Sequence, residues 1–170
     1  MFSLIVLLLA TTLGLRLLGR LGVRRFASWP VSAAHALALL LVVTASAHFV
    51  PAGVTFMPNH ADMVAMVPPF VPLPGLMVYA TGVLELLGAA GLVVTATRGA
   101  AGVALAVLFV LLLPANVYAA LAGVPFQGAP ATPLWVRLPE QALYIAVALW
   151  AARSTGASPT RAPRARSLAR

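Results

Sequence analysis

There is no cysteine in the 170 residues and no lysine, only three acidic side chains, and little charge of any kind, 8 % of the chain. Each absence excludes something. Without cysteine there are no disulfides, no thiolate-held iron–sulfur or zinc centre and no thiol redox step by this chain; any thiol chemistry belongs to a partner. The missing lysine means that all 11 basic residues are arginine, which together with the alanine excess reads as coding bias more than chemistry. The shortage of charge excludes a water-soluble globular domain: the chain is 62 % hydrophobic with a mean hydropathy of +1.01, which marks an integral membrane protein. The net charge of +8 does not point to nucleic acid, because the arginines flank apolar runs, where they set topology and touch phospholipid headgroups. No HExxH or other metal spacing is present, and His35, His48 and His60 fall at different depths, so neither metal nor haem is indicated. Gly82, Gly88 and Gly91 lie inside an apolar run, where they serve helix packing and not a nucleotide phosphate.

What is present is a series of apolar runs of the length a bilayer core requires, about 20 residues. The pattern predicts an all-α, polytopic helix bundle with a four-helix core and an extra N-terminal span. The first run, Phe2–Leu18, carries Arg16 near its end; the charge lies after the apolar stretch and not before it, and no small-residue cleavage site follows, which favours a span over a cleaved signal peptide. A basic connector with Trp29 completes an N-terminal unit, 1–30. The core, 31–152, holds spans at Val31–Val50, Gly75–Ala96, Ala100–Leu121 and Leu134–Ala152, with Ser28 or the residues beside Pro30 starting the first of these. Residues 153–170 are Arg, Ser, Pro and Ala without apolar periodicity and read as a disordered basic cytoplasmic tail. Ten of the 11 arginines fall on one side of this arrangement and Arg137 alone on the other. This places the N-terminus outside and the C-terminus on the cytoplasmic side of a cell inner (plasma) membrane.

The polar residues then sort by depth. Glu85 sits mid-way along the third span, where an ionised group costs roughly 2.5–3.5 kcal/mol on insertion scales, so it should face protein or water and not lipid. Thr81, Gly82, Gly88 and Ala89 lie one turn to either side of it, a small-residue face that lets another helix approach. Counting from the outer ends, His48 and Arg137 lie near the outer surface, Asn116 and Gln141 one to two turns in, and Arg137, Gln141 and Tyr144 share a face. The expected cluster is therefore His48, Glu85, Asn116, Arg137, Gln141 and Tyr144, either as one pocket opening outward or as interhelical hydrogen bonds. Arg137 either joins it or pairs locally with Glu140. Pro114 should kink the fourth span and free a carbonyl near Val110. In the long arginine-free loop 51–74, Asn59 can cap a short helix to about Met66 that lies on the membrane surface or folds over the bundle mouth; there His60 and Asp62 read as loop residues before an acid–base pair.

The series Ala47-His-Phe49, Phe56-Met-Pro58, Met66-Val-Pro68, Thr81-Gly-Val-Leu-Glu-Leu-Leu-Gly-Ala89, Leu113-Pro-Ala-Asn116 and Arg137-Leu-Pro-x-Gln141 resembles the DoxX-like family of small bacterial membrane proteins, over roughly Val31 to Ala152. The resemblance implies a four-helix core and, from the membrane subunit for which the family is named, an association with quinone-linked oxidation. Two departures are the extra first span and the basic tail. The expected function is a non-catalytic membrane subunit associated with redox or quinone-linked machinery. A membrane assembly or chaperone-like factor with a purely structural polar cluster is one alternative. The other is a quinone-binding oxidoreductase subunit with Glu85 in proton handling. No catalytic motif or cofactor sequence is evident; quinone is the cofactor such a pocket would take, and the expected partners are the lipid bilayer and another membrane or redox protein, not nucleic acid.

Overall fold

The computed structural model describes residues 2–129 and 132–154. These form six α-helices: α1 Phe2–Arg20, α2 Trp29–Ala45, α3 His60–Ala65, α4 Pro74–Val93, α5 Arg98–Leu121 and α6 Leu134–Arg153. Short 3-10 turns at Arg24–Phe26 and Ser46–His48 flank α2, and no strand is present among the described residues. Four of the helical segments are long and apolar enough to cross a membrane: Ser3–Arg20, Trp29–His48, Pro74–Val93 and Arg98–Leu121. The expected fifth, α6, has the length at 20 residues but not the apolarity, because Arg137, Glu140 and Gln141 occupy its first half.

α2 has no polar face, and a helix apolar all round belongs among its neighbours and not at their edge. It packs against α1, α4 and α6. Its inward residues include Ala33, Ala34, Ala36, Ala38 and Ala45, whose small side chains let three helices come close at once. α5 closes the ring by packing on both α4 and α6, so the order around it is α2, α4, α5, α6. α1 lies outside, docked on α2 through Leu8, 1 % exposed.

The buried face of α4 is Val78, Gly82, Glu85, Ala89 and Leu92, spaced by three and four as one helical stripe requires. Glycines set the seams. A side chain at Gly88 would collide with Leu105 of α5, and one at Gly102 of α5 with the backbone carbonyl of Ala148 in α6. Between helices in lipid it is this close approach, more than hydrophobic burial, that favours association.

Two arginines expected to face headgroups do otherwise. Arg98 is 3 % exposed; its Nε donates to the Leu92 carbonyl at 2.8 Å and its Nη2 to that of Val93 at 3.3 Å. Arg25 also donates to Val93, at 3.0 Å, and through Nε to His35 Nε2 at 3.0 Å. The last carbonyls of a helix have no partner within it and carry its partial negative charge, so a guanidinium is their natural cap.

The helix ends adjust the expected boundaries. α2 starts at Trp29 with Pro30 in its first turn and gives way to the 3-10 turn after Ala45, short of Val50. α6 runs through Arg153, which belongs to the bundle and not to the tail; residues 155–170 lie outside the described residues.

Candidate functional site

The expected polar cluster is two clusters, on opposite seams of the ring. α4 and α6 sit diagonally across it, so Glu85 does not share a seam with Gln141 and Tyr144.

The first cluster joins α2 to α4. Gly82 has no side chain where the Ser46–His48 turn crosses α4; a methyl there would stand 2.6 Å from His48 Cβ. His48 therefore lies flat on the helix, with Nδ1 donating to the Val78 carbonyl at 2.7 Å. A carbonyl only accepts, so Nδ1 carries hydrogen and Nε2 is left facing Glu85 Oε1, 3.9 Å away. Thr81 also donates to Val78, at 3.0 Å. His48 and Glu85 are each 7 % exposed.

Counting residues from the span ends separated these two in depth. They meet because α4 begins eight residues before Gly82, so about 12 Å of it stands beyond the end of α2. α3 leans on that projecting part and on the turn. Asn59 caps α3 by accepting from the Asp62 amide at 3.1 Å, and Asp62 Oδ2 accepts from the Asn59 amide at 3.1 Å, a reciprocal box. Asp62 is thus spent on the cap and does not serve His60. His60 Nδ1 donates to the His48 carbonyl at 2.8 Å, and its ring stacks on Tyr79 with centroids 4.0 Å apart. The expected short helix over the bundle mouth is present, and it covers His48.

The second cluster joins α5 to α6. Arg137 Nη1 lies 3.6 Å from Glu140 Oε2, the local pair that was one of its two expected roles. Tyr144 donates to Glu140 Oε1 at 2.8 Å. Gln141 Nε2 donates across the seam to the carbonyl of Phe109 at 2.9 Å, one residue before the Val110 carbonyl expected to be freed by Pro114. Glu140 is 2 % exposed, deeper than Glu85, and its Oε2 has no hydrogen-bond donor among the described residues. From the sequence Glu140 is expected only as the local partner of Arg137 and not as a member of the cluster. Residues 137, 140, 141 and 144 follow the i, i+3, i+4, i+7 pattern of a single stripe, and that spacing was the available signal.

Asn116 lies beside the second cluster. With Arg137, Met66 and Phe126 it lines a cavity of about 10 Å³, the volume of about one water molecule. Small-molecule sites run to several hundred Å³, well above this cavity. Among the described residues no group of three or more His, Asp or Glu side chains could hold a metal ion.

A family model described as a domain of unknown function (DUF8561) matches residues 37–152. The match opens inside α2 and closes at the end of α6, so it takes in the ring and leaves out α1. No curated protein and no solved structure matches the chain.

Proposed function

We propose that this chain, which belongs to the family of the domain of unknown function DUF8561, is a non-catalytic subunit of redox or quinone-linked machinery in a bacterial inner membrane. Its N-terminus is outside and its C-terminus cytoplasmic. The observation that carries the non-catalytic part is that the interior polar groups are turned on one another and on backbone carbonyls. Gln141 serves Phe109, Tyr144 and Arg137 serve Glu140, and His48 serves Val78. Side chains committed in this way hold helices in register, and among the described residues they leave no set of donors converging on an open space where a substrate would sit. The redox association rests on the DoxX-like resemblance alone.

A second reading is favoured by one contact. His48 Nε2 and Glu85 Oε1 face each other at 3.9 Å, too far for a hydrogen bond yet close enough for one proton to be held by either group as the seam tightens. This supports Glu85 in proton handling within a quinone-linked complex. An assembly or chaperone-like role would use the same bundle as a rigid platform.

Purification in mild detergent followed by mass spectrometry of what co-purifies separates these readings. A stoichiometric membrane oxidoreductase protein is the expected result. An assembly factor would instead carry precursor subunits in less than equal amounts. Equimolar quinone on the chain alone would overturn the non-catalytic reading.

A further inference from the structure

The outer face of α1 carries a built groove that the internal packing does not use. Leu13, Arg16, Leu17 and Arg20 form an i, i+3, i+4, i+7 stripe, and with Trp29 at the start of α2 they line an open space of about 110 Å³. The two ends of the groove differ. Leu13 and Leu17 lie toward the middle of the span, while Arg16, Arg20 and Trp29 stand where α1 ends and α2 begins, the level at which tryptophan and arginine meet headgroups.

Both arginines have donors to spare. Arg16 is fixed in place: its Nη1 donates to the Phe26 carbonyl at 2.8 Å, and its guanidinium carbon stands 5.1 Å from the centroid of the Trp29 ring. Its Nε is buried without a hydrogen-bond partner among the described residues. Arg20 is exposed and makes no side-chain hydrogen bond or ion pair there. None of the chain's acidic side chains neutralises them. The chain has three acidic residues in all, and Asp62 is bound to the Asn59 amide, Glu85 faces His48, and Glu140 lies between Arg137 and Tyr144. The counter-charge must come from outside.

We propose that this groove is a binding site for one anionic phospholipid. The phosphate sits across Arg16 and Arg20, whose planar forks suit phosphate oxygens, and an acyl chain runs along Leu17 and Leu13. An inorganic anion would satisfy the arginines and leave the leucine half empty; a zwitterionic lipid would fill the leucine half but bring its own cation to the arginines. The site does not depend on the redox reading, since it uses no residue of the two polar clusters.

The test is native mass spectrometry of the full chain released from detergent after incubation with dioleoyl phosphatidylglycerol or dioleoyl phosphatidylcholine. One retained phosphatidylglycerol per chain, in preference to phosphatidylcholine, is expected. Arg20→Gln should lower that retention about five-fold, the equivalent of about 1 kcal/mol for an interfacial arginine, while Arg153→Gln, an equal loss of charge at an exposed helix end, should change it by less than about two-fold. Arg20 ties nothing in the fold, so its variant keeps its helical circular dichroism. Arg16→Gln should lose both lipid retention and some thermal stability, because it also releases Phe26. Equal retention of the two lipids, equal losses in the Arg20 and Arg153 variants, or displacement of the lipid by inorganic phosphate alone would each overturn the proposal.

Discussion

A carboxylate 7 % exposed among apolar helices is costly unless a neighbour shares its charge or its proton, and for Glu85 that neighbour is His48. The pair fixes what substitutions should do. Glu85→Gln keeps shape and a polar end and should be nearly neutral for stability. Glu85→Leu leaves His48 Nε2 facing hydrocarbon and should cost about 1–3 kcal/mol. His48→Leu should cost a similar amount. Groups in direct contact couple by about 0.5–3 kcal/mol, so the double variant should lose less than the sum of the single ones. Thermal unfolding of the parent, the two single variants and the double variant in detergent gives all four corners of this cycle. Strictly additive losses would mean that the two side chains do not sense each other. Glu140 is the contrasting residue, with two partners on its own helix. Tyr144→Phe removes its one hydrogen bond and should cost about 1–3 kcal/mol through the acceptor left buried.

At the scale of elements, the seams are held open to close approach by glycine. Gly82→Ala would place a methyl 2.6 Å from His48 Cβ, an atom that cannot move without the 3-10 turn that carries it. Gly102→Ala would press on the Ala148 backbone. Each should destabilise by about 1–3 kcal/mol, as overpacking does. Gly14 is the control. Nothing lies within 4 Å of a methyl there, and the gain in helix propensity should make Gly14→Ala stabilising by up to about 1 kcal/mol. If the three alanine variants melt together, the seams are looser than they look. The cap of α3 works locally. With six residues and one reciprocal box, α3 should fray in Asn59→Ala, a cap loss of about 0.5–2 kcal/mol. Hydrogen exchange should speed up over residues 60–65 and stay unchanged in α4 and α5; a change spreading into α4 would make α3 part of the ring's cooperative unit.

Over the whole molecule, the bundle has one end marked by cations. Arg25, from the connector between α1 and α2, reaches the Val93 carbonyl at the end of α4, so this connector and the turn into α5 lie at the same end. The arginine asymmetry makes that end cytoplasmic under the proposed orientation. Reporters fused near Ser28 and after Arg153 should then read cytoplasmic, and one near Asn59 external. An external C-terminal reporter would reverse the orientation; disagreement only at the N-terminus would remove α1 from the membrane. That α1 is peripheral fits both its docking on the outer side of α2 and its position outside the matched segment 37–152.

Composition and periodicity by themselves determined that this is a helical membrane protein with its helices near the places they occupy, because the bilayer demands long apolar runs and the backbone must then bond within each run. They also located the Asn59 cap and the burial of Glu85, since both follow from local spacing. Which helix faces which was decided only by the tertiary structure. Residue counting gives depth along each span but no azimuth around the ring, so six polar residues expected to converge were divided between two seams. It gives no offset between helices either, and it is the projection of α4 past α2 that brings His48 to Glu85. Arg98 and Arg25 looked like any flanking arginines, and only the packed end of α4 offers them carbonyls to cap. Glu140 shows both sides: its spacing places it on the stripe of Arg137, Gln141 and Tyr144, but its burial depends on α6 turning that stripe toward α5.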